Sequence, residues 1–206
     1  MDSIIFDLDG TLWDSRKTVA KSWTRVVKDA NCKRREITEN DLRGTMGLQI
    51  PDIADILFDD LSKEERMELI LACCEQERVD LEQEGGKLYE GLEETLNALS
   101  KKYRLFIVSN CQEGYIESFY AYHGLGHFFE DFENPGRTGL SKGENIQLVM
   151  ERNGLSEPVY VGDTEGDRAA AVFAGIPFVF AAYGFGEPEG YDERIESVRE
   201  LEKLYL

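Results

Sequence analysis

Two aspartates one residue apart, Asp7 and Asp9, end the apolar run SIIFDLDGTL that begins at Ser3. Residues 3–8 predict a strand rich in Ile and Phe and buried on both faces, and Asp9-Gly10-Thr11 marks the turn that stops it. Turn formation and backbone capping account for one Asp beside a Gly. They account poorly for Asp7, which lies inside the apolar run, where a carboxylate is costly unless it meets a metal, a cation or several donors.

Further polar residues follow later strands. Residues 103–109 (YRLFIVS) predict a buried strand ending at Ser109-Asn110, and residues 158–162 (PVYVG) another ending at Asp163. Asp167 follows one helical turn after Asp163. In a parallel sheet the residues after each strand meet at one edge, so Asp7, Asp9, Ser109, Asn110 and Asp163 are expected together. Acids gathered at one rim repel unless a cation sits among them, and oxygen ligands without His or thiolate favour a hard ion, Mg²⁺ before Ca²⁺ or Mn²⁺. Capping supplies a competing account for part of the set. Thr164 and Asp167 match a box-like N-cap, and Ser141 and Glu144 in SKGE match a capping box, which leaves Lys142 free to point elsewhere.

The elements that must position these groups alternate. Helices are expected over about 91–102, 114–123, 141–153 and 165–174, with strands at 103–109, 158–162 and 178–181. This is the pattern of an α/β fold, a Rossmann-like parallel sheet with helices on both faces. Residues 15–84 carry no strand signal and read as helical around 16–30, 39–58 and 62–82, interrupted by Gly44-Thr45-Met46-Gly47 and Pro51 and closed by Glu84-Gly85-Gly86. The expected organisation is a core of residues 1–14 and 86–206 with an all-helical cap, residues 15–85, inserted after the first strand. An insert leaving from that edge is placed to cover a site beyond the strand ends.

The chain has 206 residues, 42% hydrophobic, with 23 Lys+Arg against 41 Asp+Glu and a formal charge of −18. That balance argues against sequence-independent binding to nucleic acid or to an anionic membrane. No apolar run approaches membrane-spanning length and no basic leader precedes the first strand, so a cytoplasmic protein is expected. Cys32, Cys73, Cys74 and Cys111 show no CxxC spacing and read as reduced thiols.

DLDGT at 7–11, Ser109-Asn110, Lys142 at a helix start and GDTEGD at 162–167 together resemble, in order, the four motifs of the haloacid dehalogenase (HAD) superfamily. The helical insert resembles the cap of its phosphoglycolate-phosphatase-like branch. The resemblance implies that Asp7 is the nucleophile and Asp9 the general acid and base. It further implies that Ser109 and Lys142 hold the phosphoryl oxygens, with Thr11 and Asn110 beside them, and that Mg²⁺ is bound by the Asp7 carboxylate, the Asp9 carbonyl and Asp163, with Asp167 binding directly or through water. Lys142 is followed by Gly143-Glu144 where many relatives carry Pro, which leaves Arg137 as the alternative cation. In that family an Asp two residues after the nucleophile goes with phosphoryl transfer and disfavours C–Cl hydrolysis.

The expected function is therefore a Mg²⁺-dependent phosphatase working through an aspartyl-phosphate on a small phosphorylated metabolite, as a monomer or homodimer. A phosphosugar mutase of the same fold is the first alternative. A non-catalytic binding protein of HAD fold is the second, since a receiver-like domain has no use for so large an insert. Trp13, the Tyr115–Tyr122 stripe and Arg43 read as packing or surface residues rather than as parts of a site.

Overall fold

The structure is a computed structural model that describes residues 1–30 and 32–206. The first strand, β1 (Ser3–Phe6), is fully buried and pairs in parallel with a strand on each side. Its side chains alternate: Ile4 and Phe6 enter one apolar layer and Ile5 the other. The unbroken apolar run has this origin, since a central parallel strand is covered on both faces.

A two-residue strand β2 (Trp13–Asp14) leads into four helices, α1 (Arg16–Asp29), α2 (Glu39–Arg43), α3 (Ile50–Leu57) and α4 (Lys63–Glu84). The chain returns through β3 (Lys87–Leu88), which pairs antiparallel with β2, so the two crossings run side by side. From there the alternation is α5 (Leu92–Leu99), β4 (Arg104–Val108), α6 (Tyr115–His123), a 3-10 turn at Leu125–Phe128, β5 (Asp131–Glu133), α7 (Pro135–Thr138), α8 (Lys142–Asn153), β6 (Pro158–Gly162), α9 (Glu165–Ala174), β7 (Phe178–Ala181), β8 (Glu193–Ile195) and α10 (Glu200–Tyr205).

The main sheet has six parallel strands in the order β5-β4-β1-β6-β7-β8. Residues of α5, α6 and α10 pack on the face that takes Ile4 and Phe6, and residues of α8 and α9 on the face that takes Ile5. The expected α/β fold with helices on both faces and an inserted helical cap is what the chain adopts.

Several boundaries differ from expectation. The break expected at Gly44-Thr45-Met46-Gly47 divides the helical patch over 39–58 into α2 and α3, whereas Pro51 does not interrupt it but sits in the first turn of α3, where its missing N–H costs nothing. β1 is shorter than residues 3–8, although Asp7 still donates its N–H to the Val161 carbonyl at 2.8 Å. The short strands β2, β3, β5 and β8 carried no readable periodicity. Trp13, read as a packing residue, is fully buried and packs edge-on against Tyr115, Phe119 and His123. Among the described residues no helix is long and apolar enough to cross a membrane.

Candidate active site

Because β1 lies between β4 and β6, the residues following these three strands converge. Asp7 is 2% exposed, and its Oδ1 accepts a hydrogen bond from Lys142 Nζ at 2.9 Å. Lys142 is itself 4% exposed and is delivered by the first turn of α8. The SKGE capping box forms as expected, with Ser141 accepting from Glu144 N and the Glu144 carboxylate accepting from Ser141 N, and it fixes where the helix starts and so where Lys142 points. Gly143 follows Lys142 for a packing reason: a Cβ there would press on the Phe173 ring of α9. Arg137, the alternative cation, is 3.5 Å from Glu133 and lies over the Phe132 ring, so Lys142 is the cation that reaches Asp7.

Lys142 Nζ also donates to Asp167 Oδ1 at 2.6 Å. The other Asp167 oxygen accepts from the backbone N–H of Asp163 and Thr164 and from the Thr164 hydroxyl. The capping account of Asp167 thus holds alongside its place in the cluster. Burial opposes the charge on Lys142, but the Asp167 and Asp7 carboxylates outweigh it and raise its pKa above the ordinary lysine value. The Asp7 pKa is raised as well, which for a carboxyl disfavours the charge: burial and the Asp167 charge lift it to about 6, with Lys142 and Ser109 pulling it back.

Asp163 is fully buried after β6. Its Oδ2 accepts from Phe185 N at 2.6 Å, while Oδ1 is buried with no hydrogen-bond partner. Burial, followed by the charges of Asp167 and Asp7, pushes its pKa well up. Two glycines make room for it. Side chains at Gly10 (φ +81°) and Gly184 would run into its carboxylate, and at Gly10 the left-handed backbone alone favours glycine. Asp7, Asp163 and Asp167 each offer a carboxylate oxygen, and these lie within 4.8 Å of one another. An orphaned carboxylate oxygen inside a buried all-oxygen cluster is the donor set of a hard divalent cation.

Asp9, partly buried, turns its Oδ1 to two hydroxyls, Ser15 Oγ at 2.5 Å and Tyr115 OH at 3.1 Å, and the single Tyr115 proton is shared between Asp9 and Ser15 Oγ, 2.8 Å away. Burial lifts the Asp9 pKa to about 7 against the pull of the Ser15 hydrogen bond. Tyr115 packs on Trp13 as the stripe reading expected, but its hydroxyl belongs to the site, which that reading missed. Its position directly after Gly114 at the start of a helix was the available signal.

Ser109 and Asn110 follow β4. Ser109 is buried, and Asn110 Nδ2 donates to the Gly47 carbonyl at 2.8 Å while its Oδ1 has no partner. Thr11 is fully buried in the turn, with its hydroxyl unpartnered and its carbonyl accepting from Tyr183 OH. A cavity of about 50 Å³ lies where the helical insert faces these residues, with Asp7, Asp9, Ser109, Asn110 and Tyr115 on one wall. The opposite wall comes from α1 (Val19, Trp23), the segment 42–53 and Glu77 of α4. Arg43 is exposed and not on that wall.

A model of the haloacid dehalogenase-like hydrolases matches residues 4–181, most of the chain and every carboxylate of the site together with Ser109, Asn110 and Lys142. The chain belongs to that family. As a member of it the protein is a hydrolytic enzyme. A phosphoglycolate phosphatase of Aliivibrio fischeri is 29% identical over 219 residues, covering 98% of this chain and 93% of the relative. Among solved structures, a haloacid dehalogenase-like hydrolase of Streptococcus pneumoniae superposes with a TM-score of 0.87 at 21% identity, covering 100% and 99% of the two chains. A protein of Haemophilus somnus described as a predicted phosphoglycolate phosphatase gives 0.87 at 23%, covering 100% and 98%. At those identities the structures speak for the fold of this HAD-like hydrolase.

Proposed function

We propose that this HAD-like hydrolase is a Mg²⁺-dependent phosphatase that cleaves a small phosphomonoester through an aspartyl-phosphate on Asp7. One observation carries the reading: Lys142 occupies one oxygen of a buried carboxylate at the end of the central strand, and a second carboxyl with a near-neutral pKa stands two residues away. The curated relative named a phosphoglycolate phosphatase supports the same reaction class.

Lys142 holds Asp7 Oδ1, which leaves Oδ2 to attack phosphorus. The bond from phosphorus to the leaving oxygen breaks as the bond to Asp7 forms, and Asp9, protonated, gives its proton to that oxygen. Asp9 then takes a proton from a water that attacks the same phosphorus, releasing phosphate and restoring the Asp7 carboxylate. Ser15 and Tyr115 fix one oxygen of Asp9, so its free oxygen faces the reaction in both steps. Ser109 and Asn110 donate to the phosphoryl oxygens, and Thr11 supports the turn that carries Asp9. The Asp7 carboxylate, the Asp9 carbonyl and Asp163, with its unpartnered oxygen, would hold Mg²⁺, with Asp167 anchoring Lys142 and reaching the ion through water. The bound ion would supply charge neutralisation for the phosphoryl group against this acidic rim. Residues 15–85 act as the cap and residues 1–14 and 86–206 as the core.

Phosphate release from p-nitrophenyl phosphate and a panel of metabolite phosphates, with and without Mg²⁺, for wild type and Asp7→Asn, tests this. Release that requires Mg²⁺ and vanishes in Asp7→Asn is expected; Mg²⁺-independent release, or release that survives Asp7→Asn, refutes it.

A further inference from the structure

The cap wall of the cavity carries a group that the catalytic scheme does not use. Glu77 is 4% exposed, lies on the buried stripe of α4, and lines the same cavity as Asp7 and Asp9. Its Oε2 accepts from Trp23 Nε1 at 2.5 Å, and the Cys74 thiol, a weak donor, also hydrogen-bonds to the carboxyl. Trp23 therefore fixes the carboxyl, and no nitrogen or oxygen donor among the described residues is bonded to Oε1.

The rest of the wall makes that carboxyl informative. Among the described residues no lysine or arginine lines the cavity; Lys142 stands behind Asp7, engaged by two carboxylates. The carboxyl side chains that line it are Asp7, Asp9 and Glu77; the other titratable groups, Cys111 and Tyr115, are held neutral by burial, and the remaining cap surface is largely apolar, as at Val19, Leu42 and Ile53. The cap is also seated. Asn110 holds the Gly47 carbonyl, and Gly47 lies so close to Thr164 that a Cβ would touch it, so this is the wall a bound substrate meets. At about 50 Å³ the space, which the phosphoryl group shares, has the volume of a few water molecules and favours a small leaving group.

A leaving group bearing a carboxylate or second phosphate would enter this wall with no cation to receive it and a third carboxyl opposite. Desolvating an anion against this wall, with no cation to pair it, is strongly unfavourable. An ammonium reverses both terms, because Glu77 becomes its counter-ion and the acid excess of the cavity becomes attractive. We propose, resting on the phosphatase reading above, that the substrate is the phosphomonoester of a small amino alcohol whose ammonium group is received by Glu77. Burial holds the Glu77 pKa up at about 8 while the cavity lacks a cation, and an adjacent ammonium favours its ionised form.

The test is a set of esters of equal length that differ at the far end: O-phosphoethanolamine, 2-hydroxyethyl phosphate and 2-phosphoglycolate, with p-nitrophenyl phosphate as the reference. With the full chain and Mg²⁺, kcat/KM is expected to fall in the order amine, hydroxyl, carboxylate, with the amine ester ahead of the carboxylate by about 100-fold or more. Glu77→Gln keeps an acceptor for Trp23 and removes the charge, so the amine's lead over the hydroxyl should shrink to within about threefold. A wild type that prefers the hydroxyl or carboxylate ester overturns the proposal, as does an amine preference that survives Glu77→Gln. If p-nitrophenyl phosphate is hydrolysed in either of those cases, the phosphatase reading stands and only this proposal falls. Release from none of the four esters ends both.

Discussion

Lys142 Nζ lies 2.9 Å from Asp7 Oδ1 and 2.6 Å from Asp167 Oδ1, bridging residues 135 and 25 positions away in the chain. All three side chains are buried, so the lysine is at once part of the proposed phosphoryl site and the counter-ion that lets two carboxylates exist there. Replacing it by Met leaves both acids uncompensated and is expected to cost about 3–5 kcal/mol of stability, read from urea denaturation near neutral pH. Adding Asp167→Asn to Lys142→Met should recover part of that loss without restoring phosphate release. A single variant as stable as wild type would show that the bridge is not what compensates these charges.

Tyr115→Phe removes one donor from Asp9 while keeping the ring on Trp13. The expected result is a fall in kcat of about tenfold with KM near the wild-type value, because the lost hydrogen bond orients Asp9, the proposed acid at the leaving oxygen, rather than a group that binds the substrate. Melting temperature reports whether packing was preserved, and a rise in KM alone would move Tyr115 from orientation to substrate contact.

Asn110 Nδ2 on the Gly47 carbonyl joins the rim of the core to the turn between α2 and α3. Asn110→Ala is expected to weaken seating of the cap by about 1 kcal/mol, seen as faster amide exchange in the segment 44–49 with no change in the central strands. Unchanged exchange there would show that other contacts hold the cap down.

Glu77 sets a stability slope with pH. Its folded-state pKa is raised from 4.5 to about 8 by burial, with the Asp9 charge acting in the same direction and the Trp23 hydrogen bond opposing both. The groups around it are Trp23 from α1, Cys74 on its own helix, and Asp9 from the turn after β1; across the cavity, Tyr115 and Cys111 face it with raised pKa values of their own. Between about 4.5 and about 8 the folded state binds the extra proton, so the Glu77 contribution is intact below that window and is lost as pH rises through it. Glu77→Gln should therefore gain on wild type by a few kcal/mol between pH 5 and pH 8.5 in denaturation midpoints, and parallel curves would show that Glu77 is already ionised at pH 5.

The parts of the fold that were legible in the sequence are those whose signals are local and repeated. β6, α9 and β7 fall on the residues expected, because an apolar run, a capping box and a small-residue helix follow one another without a gap. The convergence of Asp7, Ser109 and Asp163 followed from the parallel arrangement alone. β5 and β8, three residues each and two of the three charged (DFE, ERI), are strands only because β4 and β7 offer them an edge, and no window of the sequence announces that. Glu77 was hidden differently. One glutamate among many in α4, it is set apart only by its register with Ile70, Cys73, Cys74 and Leu81 on the buried stripe.

The pairing of β2 with β3 brings the departure and the return of the helical insert to nearly one point on the core. The insert is attached as a bulb is to its socket: nothing in the order of the six-stranded sheet depends on what lies between Asp14 and Lys87. The proposed reacting carboxylates and the cavity's opposite wall are consequently under separate control. Helices exchanged between those two short strands would present a new leaving-group surface to unchanged chemistry, which makes this junction the place to cut when recombining the protein with its relatives.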